Sequence, residues 1–219
     1  MKIKGVIFDM DGVILDSEKL YVRFWCEAAG FYGFPMETEH ALSIRSMARP
    51  LAAKRLGNIF GEKFDYQAVH SKRVELMDAY IEKKGIEAKP GASELLRYLK
   101  DNGYRVALAT ATAPDRAEKY LKAHDLYKYF DVVVSASMVS IGKPAPDIYL
   151  KAAELLGLSP QSCLALEDSP NGIKSASSAG CVTVMVPDLD KPSNAVIPLI
   201  YKTADGLSDV IRILAELES

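Results

Sequence analysis

Residues that bind soft metals or form cross-links are scarce in this chain, which has three cysteines and three histidines among 219 residues. The cysteines are widely spaced, odd in number and form no Cys-x-x-Cys pair, which fits a reducing compartment and argues against structural zinc. No two histidines have the spacing of paired metal ligands. Any metal must therefore be held by oxygen atoms, which favours a hard cation such as Mg²⁺.

Long apolar runs and an excess of one charge are missing as well. No apolar run approaches the roughly 18 residues that a membrane span needs, and Asp9 and Asp11 interrupt the apolar segment that begins at Val6. The net charge of −2 lacks the basic excess typical of nucleic-acid binding. Because 49% of the residues are apolar and 26% are charged, we expect a folded globular protein. We also expect it to be cytoplasmic, a monomer or weak homo-oligomer, and without membrane or nucleic-acid partners.

Short, continuous apolar runs predict the strands of a parallel sheet, because strands that are covered on both faces do not alternate with polar residues. Five such runs occur, at 5–8, 104–109, 131–134, 163–166 and 181–186. Helical patterns lie between or after them at 93–102, 147–156, 170–179 and 207–217. This alternation predicts an α/β fold, a Rossmann-like open parallel sheet with helices on both faces.

One long segment interrupts the alternation. It contains helical patterns at 18–29, 47–56 and 68–83 but no convincing strand. A crossover between parallel strands needs only about a dozen residues, so this segment is far longer than the connection requires. We therefore predict an inserted all-helical domain at 17–86 and an α/β core formed by 1–16 and 87–219.

Chemically active side chains follow several of the predicted strands. They are Asp9 and Asp11 after the first strand, Thr110, Ala111 and Thr112 after the second, Lys143 between the third and fourth, and Glu167 and Asp168 after the fourth. Ligands of such sheets bind beyond the carboxyl ends of the strands, so we expect these residues to converge there. Taken singly, each has a structural alternative, such as a turn at Asp9 or a helix cap at Asp168.

The expected cluster of carboxylates requires a positive charge. At an effective dielectric constant near 20, two carboxylates about 5 Å apart repel each other by about 3 kcal/mol. Lys143 supplies one positive charge, and a bound Mg²⁺ would supply two more. Acidic side chains, Mg²⁺ and a lysine are together suited to phosphoryl transfer, in which catalysis depends on positioning and on stabilising charge.

The ordered set of motifs resembles the haloacid dehalogenase superfamily. The resemblance rests on Asp9-Met10-Asp11-Gly12-Val13, Thr110, Lys143 and Glu167-Asp168, and it covers the whole chain. The helical insertion is similar to the cap domain of the small phosphatases of that superfamily. Within it, the Asp-Gly-Val and Leu-Glu-Asp-Ser stretches most resemble β-phosphoglucomutase and related sugar-phosphate phosphatases.

The resemblance implies a role for each motif residue. Asp9 would be the nucleophile that becomes an aspartyl phosphate, and Asp11 would be the general acid and base. Thr110 and Lys143 would hold the oxygens of the transferred phosphoryl group. The implied ligands of Mg²⁺ are Asp9, the carbonyl of Asp11, Asp168, and Glu167 either directly or through a water molecule.

The resemblance also suggests residues that select the substrate. Tyr21, Arg45 and Arg49 of the insertion are candidates for contact with the leaving group, together with Ala111 and Thr112 of the core. The alternative for the three insertion residues is a purely structural place on solvated or packed helix faces. Arginine can bind a second phosphate or sugar hydroxyls with two parallel hydrogen bonds.

Three functions remain open at this point. The first is a Mg²⁺-dependent phosphatase of a small phosphorylated metabolite, most simply a sugar phosphate. The second is a phosphomutase of the β-phosphoglucomutase type, although Tyr21 stands where that enzyme has a histidine. The third is a binding or signalling module without activity, which the complete set of motifs disfavours.

Overall fold

The computed structural model describes residues 2–218, which form one six-stranded parallel sheet and nine α-helices. The strands are β1 (Gly5–Phe8), β2 (Arg105–Thr110), β3 (Val132–Ser135), β4 (Cys163–Glu167), β5 (Val182–Met185) and β6 (Lys202–Thr203). Their order across the sheet is β3-β2-β1-β4-β5-β6. This is the strand order of a doubly wound Rossmann-type sheet, so the predicted fold class is confirmed.

Helices cover both faces of the sheet. They are α1 (Glu18–Phe31), α2 (Thr38–Leu42), α3 (Arg49–Phe60), α4 (Tyr66–Lys84), α5 (Ala92–Asp101), α6 (Pro114–Lys122), α7 (Asp147–Leu156), α8 (Pro170–Ser178) and α9 (Asp209–Glu218). Val6 and Phe8 of β1 point to the face that α5, α6 and α9 cover. Ile7 points to the opposite face, against α7 and α8. Burial on both faces explains why the central strands read as continuous apolar runs.

The helices α1 to α4 lie between β1 and β2 in the chain. They share an apolar cluster that includes Trp25, Leu56 and Val69. Leu20 of α1 and Met77 of α4 instead join the apolar cluster on the sheet, so the insertion also packs against the core. The domain division at 17–86 stays a prediction.

Three elements were not anticipated. Strand β6 has two residues and α2 has five, which is too short for a period to be recognised. Helix α6 begins with Pro114, and its buried residues Ala117, Tyr120 and Leu121 do follow a helical spacing among charged neighbours. Among residues 2–218, no helix combines the length and apolar character that crossing a bilayer requires.

Candidate active site

The carboxyl ends of β1, β2 and β4 meet at the centre of the sheet. Phe8, the last residue of β1, lies beside Leu108 of β2 and Leu166 of β4 in the strand register. The amide of Asp9 still donates to the carbonyl oxygen of Leu166 at 2.9 Å. The residues that follow these strands therefore lie close together. This agrees with the expectation that they converge beyond the carboxyl ends of the strands.

A buried lysine lies between two carboxylates at this edge. The Nζ of Lys143 is 2.7 Å from Oδ1 of Asp9 and 2.6 Å from Oε1 of Glu167, and it donates to the carbonyl oxygen of Ala109 at 3.1 Å. Burial lowers the pKa of Lys143, but Asp9 and Glu167 raise it above its ordinary value. The lysine is thus charged, and it fixes the orientation of both carboxylates.

The carboxyl group of Asp9 needs more positive charge than Lys143 alone provides. Burial raises the pKa of Asp9 to about 7, and Lys143 opposes this shift. A second cation beside the carboxylate would keep Asp9 ionised at neutral pH, which a nucleophile requires.

Asp11 has a different environment from Asp9, although both line the same cavity. Its Oδ1 accepts a hydrogen bond from Ser17 Oγ at 2.6 Å, and its Oδ2 accepts one from Thr112 Oγ1 at 2.8 Å. Burial raises the pKa of Asp11, and these two hydroxyl groups oppose the shift. A carboxyl group with a raised pKa is suited to giving and taking a proton near neutral pH.

Three buried carboxylates form a group that could hold a metal ion. Asp9, Glu167 and Asp168 each offer an oxygen, and these oxygens lie within 4.8 Å of one another. Both carboxylate oxygens of Asp168 are buried without a hydrogen-bond partner. An all-oxygen donor set that includes a carboxylate accepting no hydrogen bond fits a hard cation such as Mg²⁺. The side chain of Asp11 instead contacts Ser17 and Thr112.

Two glycines allow the backbone to approach this group closely. A Cβ atom on Gly12, whose φ is +81°, would lie 2.2 Å from Oδ2 of Asp168. A Cβ atom on Gly172 would lie 2.0 Å from both carboxylate oxygens of Glu167. Neither position accepts a larger residue without displacing a carboxylate of the group.

Arg45, predicted to contact substrate, also reaches the carboxylate group. Its Nη2 lies 3.2 Å from Oδ2 of Asp168 and 2.8 Å from Oδ2 of Asp190, while its Nε lies 3.7 Å from Oε2 of Glu18. Sequence reasoning did not identify Glu18, which is buried and lines the cavity. Arg45 therefore joins the insertion to the core through ion pairs with Asp168 and Asp190.

A cavity of about 140 Å³ lies between the insertion and the carboxyl edge of the sheet. The lining includes Asp9, Asp11 and all five predicted substrate residues, which are Tyr21, Arg45, Arg49, Ala111 and Thr112. Tyr21 and Thr112 are joined by a hydrogen bond of 3.0 Å between their hydroxyl groups. A second cavity of about 290 Å³ is lined by Lys143 and shares Arg49 with the first.

Thr110 lies apart from both cavities. Its side chain is fully buried, and its Oγ1 accepts a hydrogen bond from the amide of Thr112 at 3.0 Å. The threonine thus shapes the turn after β2, and its predicted contact with a phosphoryl group stays a prediction.

Several residues that line the first cavity were missed by sequence reasoning. They come from the insertion or from α6 and include Trp25, Tyr66, His70, Arg73 and Arg116. On α4, His70, Arg73 and Met77 share a buried face with Val69. His70 and Arg73 are polar residues that fall, by helical periodicity, on the apolar face of α4. This pattern is a signal that could have identified them as candidate site residues.

Comparison with known proteins identifies the family. A family model of haloacid dehalogenase-like hydrolases matches residues 3–180, so the chain belongs to this family of hydrolases. It is 35% identical over 182 residues to a phosphorylated carbohydrates phosphatase of Thermotoga maritima, covering 81% of this chain and 82% of the relative. It is 36% identical over 191 residues to hexitol phosphatase A of Escherichia coli, covering 85% and 84%. The predicted class, phosphoric monoester hydrolase, is confirmed.

A solved structure extends the comparison to the whole chain. A candidate β-phosphoglucomutase from Thermotoga maritima is 29% identical and superposes with a TM-score of 0.74. The superposition covers 98% of this chain and 100% of that structure, helical insertion included.

Proposed function

We propose that this chain is a Mg²⁺-dependent phosphatase that hydrolyses a small phosphorylated carbohydrate through a phosphoryl group carried on Asp9. The observation that carries this proposal is that two carboxylates line the same cavity but have different hydrogen-bond partners. Asp9 is held by Lys143 at 2.7 Å, whereas Asp11 accepts hydrogen bonds from Ser17 and Thr112. This difference in environment suits one carboxylate to attack and the other to proton transfer.

In the first step, a carboxylate oxygen of Asp9 attacks phosphorus, and the bond between phosphorus and the leaving oxygen breaks. Asp11 gives its proton to that oxygen, so the product leaves as an alcohol rather than as an alkoxide. Lys143 holds Asp9 in place and balances the negative charge that the phosphoryl group brings into the site.

In the second step, a water molecule attacks the phosphoryl group on Asp9. Asp11, now ionised, takes a proton from that water, and the bond between phosphorus and Asp9 breaks. Inorganic phosphate leaves, Asp9 is again a carboxylate, and Asp11 is again protonated.

Asp9, Glu167 and Asp168 would hold the Mg²⁺, with the carbonyl of Asp11 as the further ligand that the family resemblance implies. When bound, the ion would supply positive charge that offsets the carboxylates and the phosphoryl oxygens. Lys143 pairs with both Asp9 and Glu167, and its single positive charge cannot neutralise two carboxylates. This shortfall supports the need for the charge of the ion.

The relatives support a carbohydrate as the substrate. Two relatives above 30% identity are named for phosphorylated carbohydrates and for hexitols. In the cavity, the aromatic rings of Tyr21, Trp25 and Tyr66 lie near arginines, a combination that can contact both the CH faces and the hydroxyl groups of a sugar.

A phosphomutase is the second candidate, because the chain resembles a candidate β-phosphoglucomutase over its full length. An assay with β-glucose 1-phosphate and a trace of glucose 1,6-bisphosphate separates the two activities. Glucose 6-phosphate as the main product would favour the mutase, and free phosphate would favour the phosphatase.

The proposal is tested by measuring phosphate release from p-nitrophenyl phosphate and from a panel of phosphorylated carbohydrates. We expect turnover with Mg²⁺, none after chelation, and none in Asp9→Asn. The matched control is Asp209→Asn, which alters a surface carboxylate of α9 that pairs with Arg212. Equal activity in Asp9→Asn and Asp209→Asn would refute the assignment of the nucleophile.

A further inference from the structure

Arg73 is a buried cation in the wall of the cavity. It lies on α4, and only 7% of its surface is accessible to solvent. It lines the cavity together with Asp11 and Glu18. A guanidinium group cannot lose its charge at neutral pH, so this charge must be balanced where it stands.

Neutral groups hold the guanidinium in place. Its central carbon lies 5.0 Å from the centre of the Tyr21 ring and 5.6 Å from that of Trp25. Nη2 donates to Nε2 of His70 at 3.0 Å, and Nη1 lies 3.8 Å from the sulfur of Met77. Nε is buried without a hydrogen-bond partner.

His70 serves as a neutral acceptor for this cation. Burial, together with the nearby charge of Arg73, lowers the pKa of His70 to about 4. At neutral pH the imidazole is uncharged and accepts through Nε2. The direct partners of Arg73 therefore orient its charge but do not neutralise it, and the carboxylate of Asp11 acts on it only from beyond ion-pair distance.

The charges of the other arginines that line the cavity are either paired with carboxylates or exposed to water. Arg45 pairs with Asp168 and Asp190, and Arg116 pairs with Asp78. Arg49 is exposed, so water can solvate it. Within residues 2–218, no carboxylate oxygen lies within 4 Å of Arg73, and this separates it from the other buried cations of the site.

We infer that the counter-ion of Arg73 is part of the substrate: the leaving group carries its own anionic group, a carboxylate or a second phosphate, which pairs with the guanidinium in the cavity. This inference rests on the proposed function. It narrows the substrates to those that carry a second anionic group in addition to the phosphate that is hydrolysed. Neither catalytic carboxylate pairs directly with Arg73, since Asp9 bonds to Lys143 and Asp11 accepts its hydrogen bonds from two hydroxyl groups. Aromatic faces fix the plane of the guanidinium, which favours recognition by two parallel hydrogen bonds.

Three six-carbon compounds that differ only at the end remote from the phosphate test the inference. They are sorbitol 6-phosphate with a neutral hydroxyl, 6-phosphogluconate with a carboxylate, and sorbitol 1,6-bisphosphate with a second phosphate. We expect kcat/KM to be about tenfold or more higher for at least one anionic compound than for sorbitol 6-phosphate, as a charged hydrogen bond implies. The compound that is preferred identifies the anion.

Arg73→Met should reduce that ratio to about threefold or less, and Arg73→Lys, which keeps the charge, should retain part of it. The matched control is Arg23→Met. Arg23 also lies over two aromatic rings of the insertion, but it is exposed and pairs with Glu27. The control should leave the ratio unchanged.

A wild-type preference for sorbitol 6-phosphate, or an unchanged ratio in a folded Arg73→Met, would overturn the inference. If Arg73→Met does not fold, the Arg73→Lys ratio decides, and a ratio equal to wild type counts against a guanidinium-specific contact. Failure of the proposed function is recognised separately, as absence of turnover with p-nitrophenyl phosphate. In that case the affinities of wild type and the Arg73 variants for the same three compounds are compared instead. They are measured from the fluorescence of the single tryptophan, Trp25, which requires no turnover.

Discussion

Gly172 offers a direct test of the packing around the carboxylate group. It lies in the first turn of α8, where replacing glycine with alanine ordinarily stabilises a helix by about 0.5–1 kcal/mol. Here the added Cβ would lie 2.0 Å from both carboxylate oxygens of Glu167, which has no exposed surface. We therefore expect Gly172→Ala to destabilise the protein.

The size of the effect follows from what Glu167 must give up. Its Oε1 accepts hydrogen bonds from Lys143 and from Tyr149, both at 2.6 Å. Hydrogen bonds to charged groups contribute about 1.5–3 kcal/mol each, so loss of one of them exceeds the helical gain. The expected net destabilisation is about 1–2 kcal/mol, and more if both bonds break.

Urea denaturation measures this free energy of unfolding, and Gly57→Ala is the matched control. Gly57 lies inside α3, and a Cβ there would meet nothing within 4 Å, so alanine should stabilise by about 0.5–1 kcal/mol. If both variants gain stability equally, Glu167 is not held where the structure places it.

Three further predictions concern charge. Lys143→Met leaves two buried carboxylates facing each other, and it should lower the free energy of unfolding by about 3–5 kcal/mol in urea denaturation. Asp168→Ala should raise the dissociation constant of Mg²⁺, measured by calorimetry, by about tenfold or more, because it removes one of the three carboxylates of the group and the one that accepts no hydrogen bond. His70 has a folded pKa of about 4 against an ordinary 6.5, so the unfolded chain takes up the proton first. The free energy of unfolding should therefore fall from pH 7 to pH 4.5 by about 2–3 kcal/mol more in wild type than in His70→Gln.

Each of these predictions has a clear contrary result. Stability of Lys143→Met equal to wild type would mean that the lysine does not lie between the carboxylates. An unchanged Mg²⁺ affinity in Asp168→Ala would remove Asp168 from the metal site. Parallel pH profiles of wild type and His70→Gln would mean that the imidazole is not buried in neutral form.

The core of the site could be predicted from the sequence because its residues are tied to strand ends. Asp9 and Glu167 meet because β1 and β4 are neighbours in the sheet and because buried parallel strands leave a clear apolar run, whereas Lys143 reaches them from the segment between β3 and α7. The spacing of Asp9 and Asp11 alone could not show that one would bond to a lysine and the other to hydroxyl groups. That difference depends on Ser17 and Thr112, which come from separate parts of the chain.

The insertion was less predictable, because its contribution depends on how four helices pack. Arg45 was expected at the substrate, but it also pairs with Asp168 across 123 positions of sequence. Arg73 resembles an ordinary polar residue of α4 until its neighbours Tyr21 and Trp25, from α1, are seen around it. No local pattern encodes contacts between helices of this kind.

The covalent role of Asp9 is tested most directly by a single turnover of Asp11→Asn with p-nitrophenyl phosphate and Mg²⁺, quenched in acid. The good leaving group needs no proton, so the first step proceeds, whereas the attacking water lacks its base and the second step slows. The account predicts a protein whose mass has increased by one phosphoryl group, located on the peptide that contains Asp9. Release of phosphate without any phosphoryl group on that peptide at any time would contradict it.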